Sequence, residues 1–174
     1  MRLFAAADLP DDVRLPLAAW GAASGEICPE LRPVAEDRLH LTLVFLGSRS
    51  EEDAERLGPL VVGCADGPVE VVLGEPLWLA PRRPHVLTVA LRDCTGALAA
   101  LQGRVADALD EHEDRAYRPH VTVARVRKGA RIRPSEVELP PAPEASFGLE
   151  ALALYSSRLG PKPRYEPLAK VPLA

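Results

Sequence analysis

Two stretches of this chain repeat one arrangement of side chains able to move protons. The first reads Arg38-Leu39-His40-Leu41-Thr42-Leu43-Val44-Phe45-Leu46-Gly47, and the second, eighty positions on, reads Tyr117-Arg118-Pro119-His120-Val121-Thr122-Val123-Ala124-Arg125-Val126. Their shared core is His, apolar, Thr, apolar, in a chain with only four His and four Thr. Both copies sit in β-favouring runs, and residues i and i+2 of a strand share a face. His40 and Thr42 are therefore expected to point one way together, and so are His120 and Thr122. An imidazole with an ordinary pKa near ~6.5 serves as acid or base near neutral pH. A threonine hydroxyl can donate to an anionic oxygen. Two of each, set around one phosphate, suit phosphodiester cleavage: one His takes a proton from the nucleophile, the other gives one to the leaving oxygen. A two-His metal site is the rival chemistry. It lacks partners, since neither motif contains Asp or Glu and no third His is regularly spaced; no metal and no cofactor is expected. A single His-apolar-Thr on a strand reads as ordinary packing, and it is the duplication that points to function.

The elements that must position these motifs are short. Leu3 to Ala7 reads as a buried strand, followed by a helix start at Asp8 to Asp12 with Val13, Leu17 and Trp20 on one face. Pro16 is expected to kink or shorten that helix, and Gly21 to Pro33 reads as loop. Leu39 to Leu46 is the first motif strand. Ser50 to Asp53 resembles a capping box, ahead of a helical stripe at Ala54, Leu57, Val61 and Cys64 that Pro59 weakens. Val69 to Leu73 and Leu77 to Leu79 read as strands around a Gly74-Glu75-Pro76 break, and Val86 to Leu91 as another. Asp93 to Gly96 offers caps for a helix striped by Leu98, Leu101, Val105, Ala108 and Leu109. Pro119 suits the start of the second motif strand. Ala145 to Tyr155 and Tyr165 to Leu173 close the chain as strands around a hairpin loop at Ser156 to Arg164. The two halves share an element order with one His-Thr strand each. The expected fold is α+β: two pseudo-symmetric lobes in one domain spanning residues 1–174, each a small, mostly antiparallel sheet with helices on its outer face, and a central cleft carrying both motifs.

Bulk properties set limits. With 174 residues, 47% hydrophobic and 26% charged, the chain has the make-up of a globular domain. A net charge of −4 means that any nucleic-acid contact must come from a local patch. Cys28, Cys64 and Cys94 are odd in number and far apart, which argues against a disulfide framework or thiolate zinc site and for a reducing, cytoplasmic setting. No apolar run approaches the ~20 residues of a membrane span, and acidic residues cut the N-terminal apolar run too short for a signal peptide.

With both motifs intact, the chain resembles the 2H phosphoesterase superfamily, and within it the bacterial and archaeal RNA 2′,3′-cyclic phosphodiesterases, historically called 2′-5′ RNA ligases. The resemblance covers essentially the whole chain. It takes in the Arg-Leu-Phe-Ala start, both motifs with their flanks, and the closing Leu154-Tyr155-Ser156-Ser157-Arg158-Leu159 and Tyr165-Glu166-Pro167-Leu168. It implies hydrolysis of an RNA terminal 2′,3′-cyclic phosphate to a 2′-phosphate, with His40 as proton donor, His120 as proton acceptor, and Thr42 and Thr122 holding the phosphate. Ligation is the same chemistry reversed. The near-symmetric motifs do not themselves say which His is the acid. The alternatives are another cyclic phosphate or 2′-5′ oligonucleotide as substrate, or an RNA-binding module without turnover. One chain holds both motifs, so a monomer suffices.

In the family pattern Arg125 is a phosphate or nucleotide contact. Strict alternation places it on the face opposite His120, so the strand must bend or end there. The same parity turns Phe45 away from His40, and core packing is preferred to base stacking for it. Arg125 to Arg133 either steers an RNA backbone or forms a solvated loop. His85, with Thr88 at +3, is read as structural, and His112 as closing a helix.

Overall fold

The computed structural model describes residues 1–158, 160 and 163–174. In chain order the elements are β1 (Arg2–Asp8), α1 (Asp11–Ile27), β2 (Leu31–Pro33), β3 (His40–Ser48), α2 (Glu51–Val62), β4 (Glu70–Leu79), β5 (Val86–Asp93), α3 (Ala97–Leu109), β6 (His120–Val126), β7 (Ser146–Gly148), β8 (Ala151–Arg158) and β9 (Arg164–Pro172). All strands join one antiparallel sheet in the order β7-β4-β5-β6-β3-β1-β8-β9, with β2 added beside β6. The sheet divides at its middle into two quartets, β7-β4-β5-β6 and β3-β1-β8-β9, which are the two expected lobes. The motif strands β3 and β6 are neighbours at that division, and a single pairing joins them, Leu41 with Val121.

Apolar alternation decides which face the helices cover. Leu41, Leu43, Val121 and Val123 are all buried, and the helices pack on their side. Helix α1 lies against β2 and β6, α2 against β8 and β9, and α3 against β3, β4 and β5. The opposite face carries the half-buried His40, Thr42, His120 and Thr122. The Ser50 capping box is present: Ser50 Oγ accepts from the Asp53 amide at 3.0 Å, and the Asp53 carboxylate accepts from the Ser50 amide at 3.4 Å. Asp93 caps α3 through the Gly96 and Ala99 amides, both at 2.9 Å.

Several sequence-based boundaries are corrected. Helix α1 continues through Pro16 to Ile27, so most of the segment read as loop from Gly21 is helical. Pro16 is exposed, where the carbonyl freed by its missing amide can meet water. The segment also ends in β2, too short at three residues to show a period. Helix α2 likewise runs through Pro59. The expected break at Gly74-Glu75-Pro76 is an irregularity within one continuous β4, with register shifting between Leu73 and Pro76. Ala106, rather than Ala108, completes the α3 stripe. His112 lies beyond the end of α3, with Nε2 3.6 Å from Asp107 Oδ1. Of the expected hairpin loop, Ser156 to Arg158 belong to β8, while Leu159, Pro161 and Lys162 lie outside the described residues.

Gly21 shows how tightly a helix must approach the motif strand. A Cβ at this position would lie 2.9 Å from the backbone oxygen of Val123, which already accepts the Val34 amide at 2.9 Å. Backbone cannot move aside as a flexible side chain can. Gly21→Val should therefore cost about 1–3 kcal/mol by overpacking. Gly103→Ala in α3, where an added Cβ meets nothing within 4 Å, should be neutral or stabilising by up to about 1 kcal/mol. Urea midpoints of the two variants against the parent measure both effects.

Candidate active site

Each motif begins with an arginine carbonyl that fixes its histidine. Arg38 O lies 2.8 Å from His40 Nδ1, and Arg118 O lies 2.7 Å from His120 Nδ1. A carbonyl only accepts, so each Nδ1 must carry the hydrogen. Neutral imidazoles in this tautomer present Nε2 as a lone pair, and protonated ones present it as a donor. The sequence thus repeats Arg-x-His as well as His-x-Thr, with the carbonyl two residues upstream doing the orienting. His40 Nε2 lies 2.9 Å from Thr42 Oγ1; in the neutral form it accepts that hydroxyl.

The parity of the motif strands changes at the same place in both copies. Along β1, Asp8, Ala7 and Ala6 pair with His40, Leu41 and Thr42, whereas Ala5 and Phe4 pair with Val44 and Phe45. Leu43 is thus an extra, bulged residue. Along β5, Ala90, Val89 and Thr88 pair with His120, Val121 and Thr122, whereas Leu87 and Val86 pair with Ala124 and Arg125, so Val123 is the extra residue. A bulge of one residue turns everything beyond it to the other face. Phe45 and Arg125, both five residues after their His, therefore come onto the motif face. Burial follows the same course at the first five positions of each strand and then opens to solvent at the sixth: half-buried, buried, half-buried, buried, buried, exposed. The parity objection to Arg125 is removed. Core packing of Phe45 is overturned, because that side chain is 67% exposed.

Around this symmetric centre the surroundings differ. His40 stacks on Phe4, with ring centroids 4.9 Å apart, and meets the edge of Tyr165 at 5.3 Å. Tyr155 also stacks on Phe4, at 5.5 Å. Beside His40 in the register is Asp8, a buried carboxylate held by Tyr155 Oη at 2.7 Å and Lys170 Nζ at 2.6 Å. Burial and Asp8 push the Tyr155 phenol well above its ordinary pKa, so it stays a donor. Burial lowers the His40 pKa from the ordinary 6.5 to about 4; the Arg38 carbonyl and Asp8 oppose this, while Arg125 and His120 add to it. On the other side, His120 faces only Ala90 of β5, and Thr122 faces Thr88. Thr88 is buried and donates to Leu77 O at 2.7 Å.

Sequence reading missed Asp8, Tyr117 and the aromatic group around His40. Tyr117 donates from its hydroxyl to Thr42 O at 2.9 Å, clamping the lead-in of β6 to β3. The signal for these residues was faint, since they come from both ends of the chain and from beside the second motif. A cavity of about 890 Å³ opens beside the centre, with Thr42, Phe45, Ala80, Tyr117, Arg118 and His120 on its wall. His85 stands apart from the motifs, on the wall of a smaller cavity with Arg125. Among the described residues there is no cluster of three or more metal-ligating side chains, all three cysteines are free thiols, and no helix is long and apolar enough to cross a membrane.

The model of the 2′-5′ RNA ligase superfamily matches residues 10–161. The RNA 2′,3′-cyclic phosphodiesterase of Escherichia coli K12 is 31% identical over 97% of this chain and 94% of its own length. That of Thermus thermophilus is 32% identical over 99% and 90%. The crystal structure of E. coli LigT complexed with 3′-AMP superposes with a TM-score of 0.77 at 30% identity, covering 99% of this chain and 97% of that one.

The depressed His40 pKa links stability to pH with a definite sign. The unfolded chain takes up this proton near pH 6.5, whereas the folded protein takes it up only near 4. The stability held by neutral His40 is complete above 6.5 and is lost as pH falls toward 4, by about 3 kcal/mol at most. Denaturant unfolding between pH 7 and pH 4 should show His40→Gln losing less stability than the parent over that interval. Parallel curves would contradict the assignment.

Proposed function

The chain belongs to the 2′-5′ RNA ligase superfamily, and from that membership we propose that it is a hydrolase opening the terminal 2′,3′-cyclic phosphate of RNA to a 2′-phosphate. The proposal includes the reverse reaction, 2′-5′ ligation, with a 5′-hydroxyl in place of water. The observation that carries the reading is the pair of oriented imidazoles. Both Nδ1 atoms are committed to backbone carbonyls, which makes Nε2 the reactive nitrogen of each ring, and a threonine hydroxyl stands two residues from each on the same face, that of Thr42 within hydrogen-bond distance of His40 Nε2. The unit acts as a single bilobal domain, as a cytoplasmic monomer, on an RNA or nucleotide end.

In the proposed reaction His120 Nε2 takes a proton from water as the water oxygen bonds to phosphorus. His40 Nε2 gives its proton to the 3′ oxygen as the P–O3′ bond breaks. The products are a 2′-phosphate and a 3′-hydroxyl, and solvent then restores both imidazoles. Thr42 and Thr122 donate to the non-bridging oxygens, Arg125 adds a charged contact to the phosphate, and the exposed Phe45 offers a face on which a base can stack. His40 must hold a proton to serve as acid, and the anionic phosphate supplies the charge that favours protonation over the depressed free-state value.

A second reading reverses the two roles. The lowering of the His40 pKa to about 4 favours it, because an imidazole that is neutral in the free protein is ready to act as a base.

Either way His40→Ala and His120→Ala should each lose about 10²–10⁴-fold in rate, on 2′,3′-cyclic nucleotides and with activity persisting in EDTA. Retention of near-full activity by either variant would sink the two-histidine mechanism. A cyclic substrate with sulfur at the 3′ bridging position assigns the roles, since a thiolate leaves without being protonated. It should rescue only the variant lacking the acid, His40→Ala in the first reading and His120→Ala in the second. Identification of a 2′-phosphate product checks which bond breaks.

A further inference from the structure

The smaller cavity, about 440 Å³, is walled by Arg32, His85, Arg125, Arg127 and Lys128, with no carboxylate on its wall. In a chain of net charge −4 such a surface is a local concentration rather than a reflection of composition. It is also an unrelieved one. Arg32 of β2 is directly paired with Arg125 of β6, and like charges opposite one another on neighbouring strands are destabilising. Among the described residues neither arginine has a carboxylate within ion-pair distance, nor does Lys128, although exposed arginines elsewhere do, as Arg133 with Glu136 and Arg56 with Asp53. The nearby Glu30 carboxylate accepts from the Cys28 thiol at 3.3 Å. Arg127 is pinned through Nε to Pro29 O at 2.9 Å. An arginine pair built this way is waiting for an anion from outside the protein.

Position says which anion. The bulge at Val123 brings Arg125, and with it Arg32, onto the face of His120 and Thr122. Thr122 and Arg125 are opposite Thr88 and Val86 of β5, two residues apart along that strand, which is roughly 7 Å. Arg32, paired across from Arg125, stands about 5 Å farther on the neighbouring strand, so its side chain can reach the phosphate next to the one held beside Thr122. We propose that Arg32, with Lys128 and Arg127, forms a second phosphate subsite that takes the phosphodiester on the 5′ side of the terminal nucleotide while the motif centre holds the cyclic phosphate. The inference rests on the proposed function above and narrows it: the substrate class is an RNA end with at least one internal phosphodiester, and a cyclic mononucleotide fills only half of the site. Arg125 lies between the two subsites, and Arg32 is the residue that belongs to the second alone.

Three substrates test this: 2′,3′-cyclic AMP, the dinucleotide ApA ending in a 2′,3′-cyclic phosphate, and the same dinucleotide with an uncharged methylphosphonate linkage. The parent should favour the phosphodiester over the methylphosphonate by about tenfold in kcat/KM, as expected for a charge-assisted contact. Arg32→Ala should bring that ratio close to one, Lys128→Ala should lower it, and Arg32→Lys should restore part of it. The Arg32 side chain is exposed and lies opposite a like charge, so Arg32→Ala should melt no lower than the parent, and its melting temperature should be checked. A parent that treats the two linkages alike, or an Arg32→Ala ratio equal to the parent's, overturns the subsite. Failure of the parent to turn over any of the three would overturn the proposed function instead. The subsite is then decided by fluorescence anisotropy with a labelled, 3′-phosphorylated ApA. About tenfold weaker binding by Arg32→Ala, with a shallower salt dependence, supports it, and equal binding overturns it.

Discussion

The join between the two halves of the sheet is one antiparallel pairing, Leu41 with Val121, and the site depends on it. Both side chains are fully buried, so hydrophobic packing on the helix face fixes the register that one pairing alone would leave weakly specified. Continuing that register would set His40 across from Thr122 and His120 across from Thr42. The pseudo-two-fold axis therefore passes between Leu41 and Val121, and each histidine belongs with the threonine of its own strand and with that of the other. Beyond this point the strands part. Tyr117 bridges β3 and the lead-in of β6 on one side of the join; on the other, β2 fills in beside β6. A longer ladder between β3 and β6 would bind the halves more firmly but would leave less room between them for the cavity beside His120.

The repeated centre was legible from sequence because it obeys strand alternation: His, Thr and the apolar residues between them fall on the faces that a period of two predicts. Legibility ended at the bulges. Leu43-Val44 and Val123-Ala124 are adjacent aliphatic pairs, and an aliphatic pair in a strand reads as a run buried on both faces. Neither contains a glycine to mark an irregularity. The available clue lay in comparing the copies, since each alternates through four residues, doubles its apolar residue, and then places a large side chain at +5. The two prolines inside helices misled for the opposite reason. They are strong local signals, but tertiary packing along Val13, Leu17, Trp20 and Ser24 in α1, all buried, outweighs one missing hydrogen bond. The residues around His40 were out of reach for a third reason. Asp8 and Tyr155 are 147 positions apart, and their meeting is a property of strand order, which local sequence does not state.

Symmetry and asymmetry in the site come from different layers of the structure. The motif strands supply the symmetric part: two oriented imidazoles, two hydroxyls and two bulges. The next strands outward break it. On one flank β1, β8 and β9 bring Phe4, Tyr155, Tyr165, Asp8 and Lys170 to His40, an enclosed and partly charged setting that shifts its pKa. On the other flank β5 offers only Ala90 and Thr88 beside His120 and Thr122. Two histidines of identical tautomer are thereby given unequal surroundings, which suits the proposed division into an acid and a base. The inequality resides in chain segments that the motif does not contain.

A phosphate group is nearly symmetric, whereas an RNA strand has direction, and the site follows that division. In the proposed function the centre takes the phosphate, with equivalent donors on two strands. At +5 the copies diverge in the way a directional ligand requires. One carries an aromatic ring beside the larger cavity and the other an arginine beside the smaller, cationic one. An aromatic face suits a base and a guanidinium pair suits a phosphate, so the same backbone bulge, repeated, presents complements to the two kinds of group that alternate along a nucleic acid. The repeated strand, symmetric at its histidines and threonines, thus carries different side chains at two equivalent positions. In the proposed function that difference sets the direction in which a strand end enters, without disturbing either histidine.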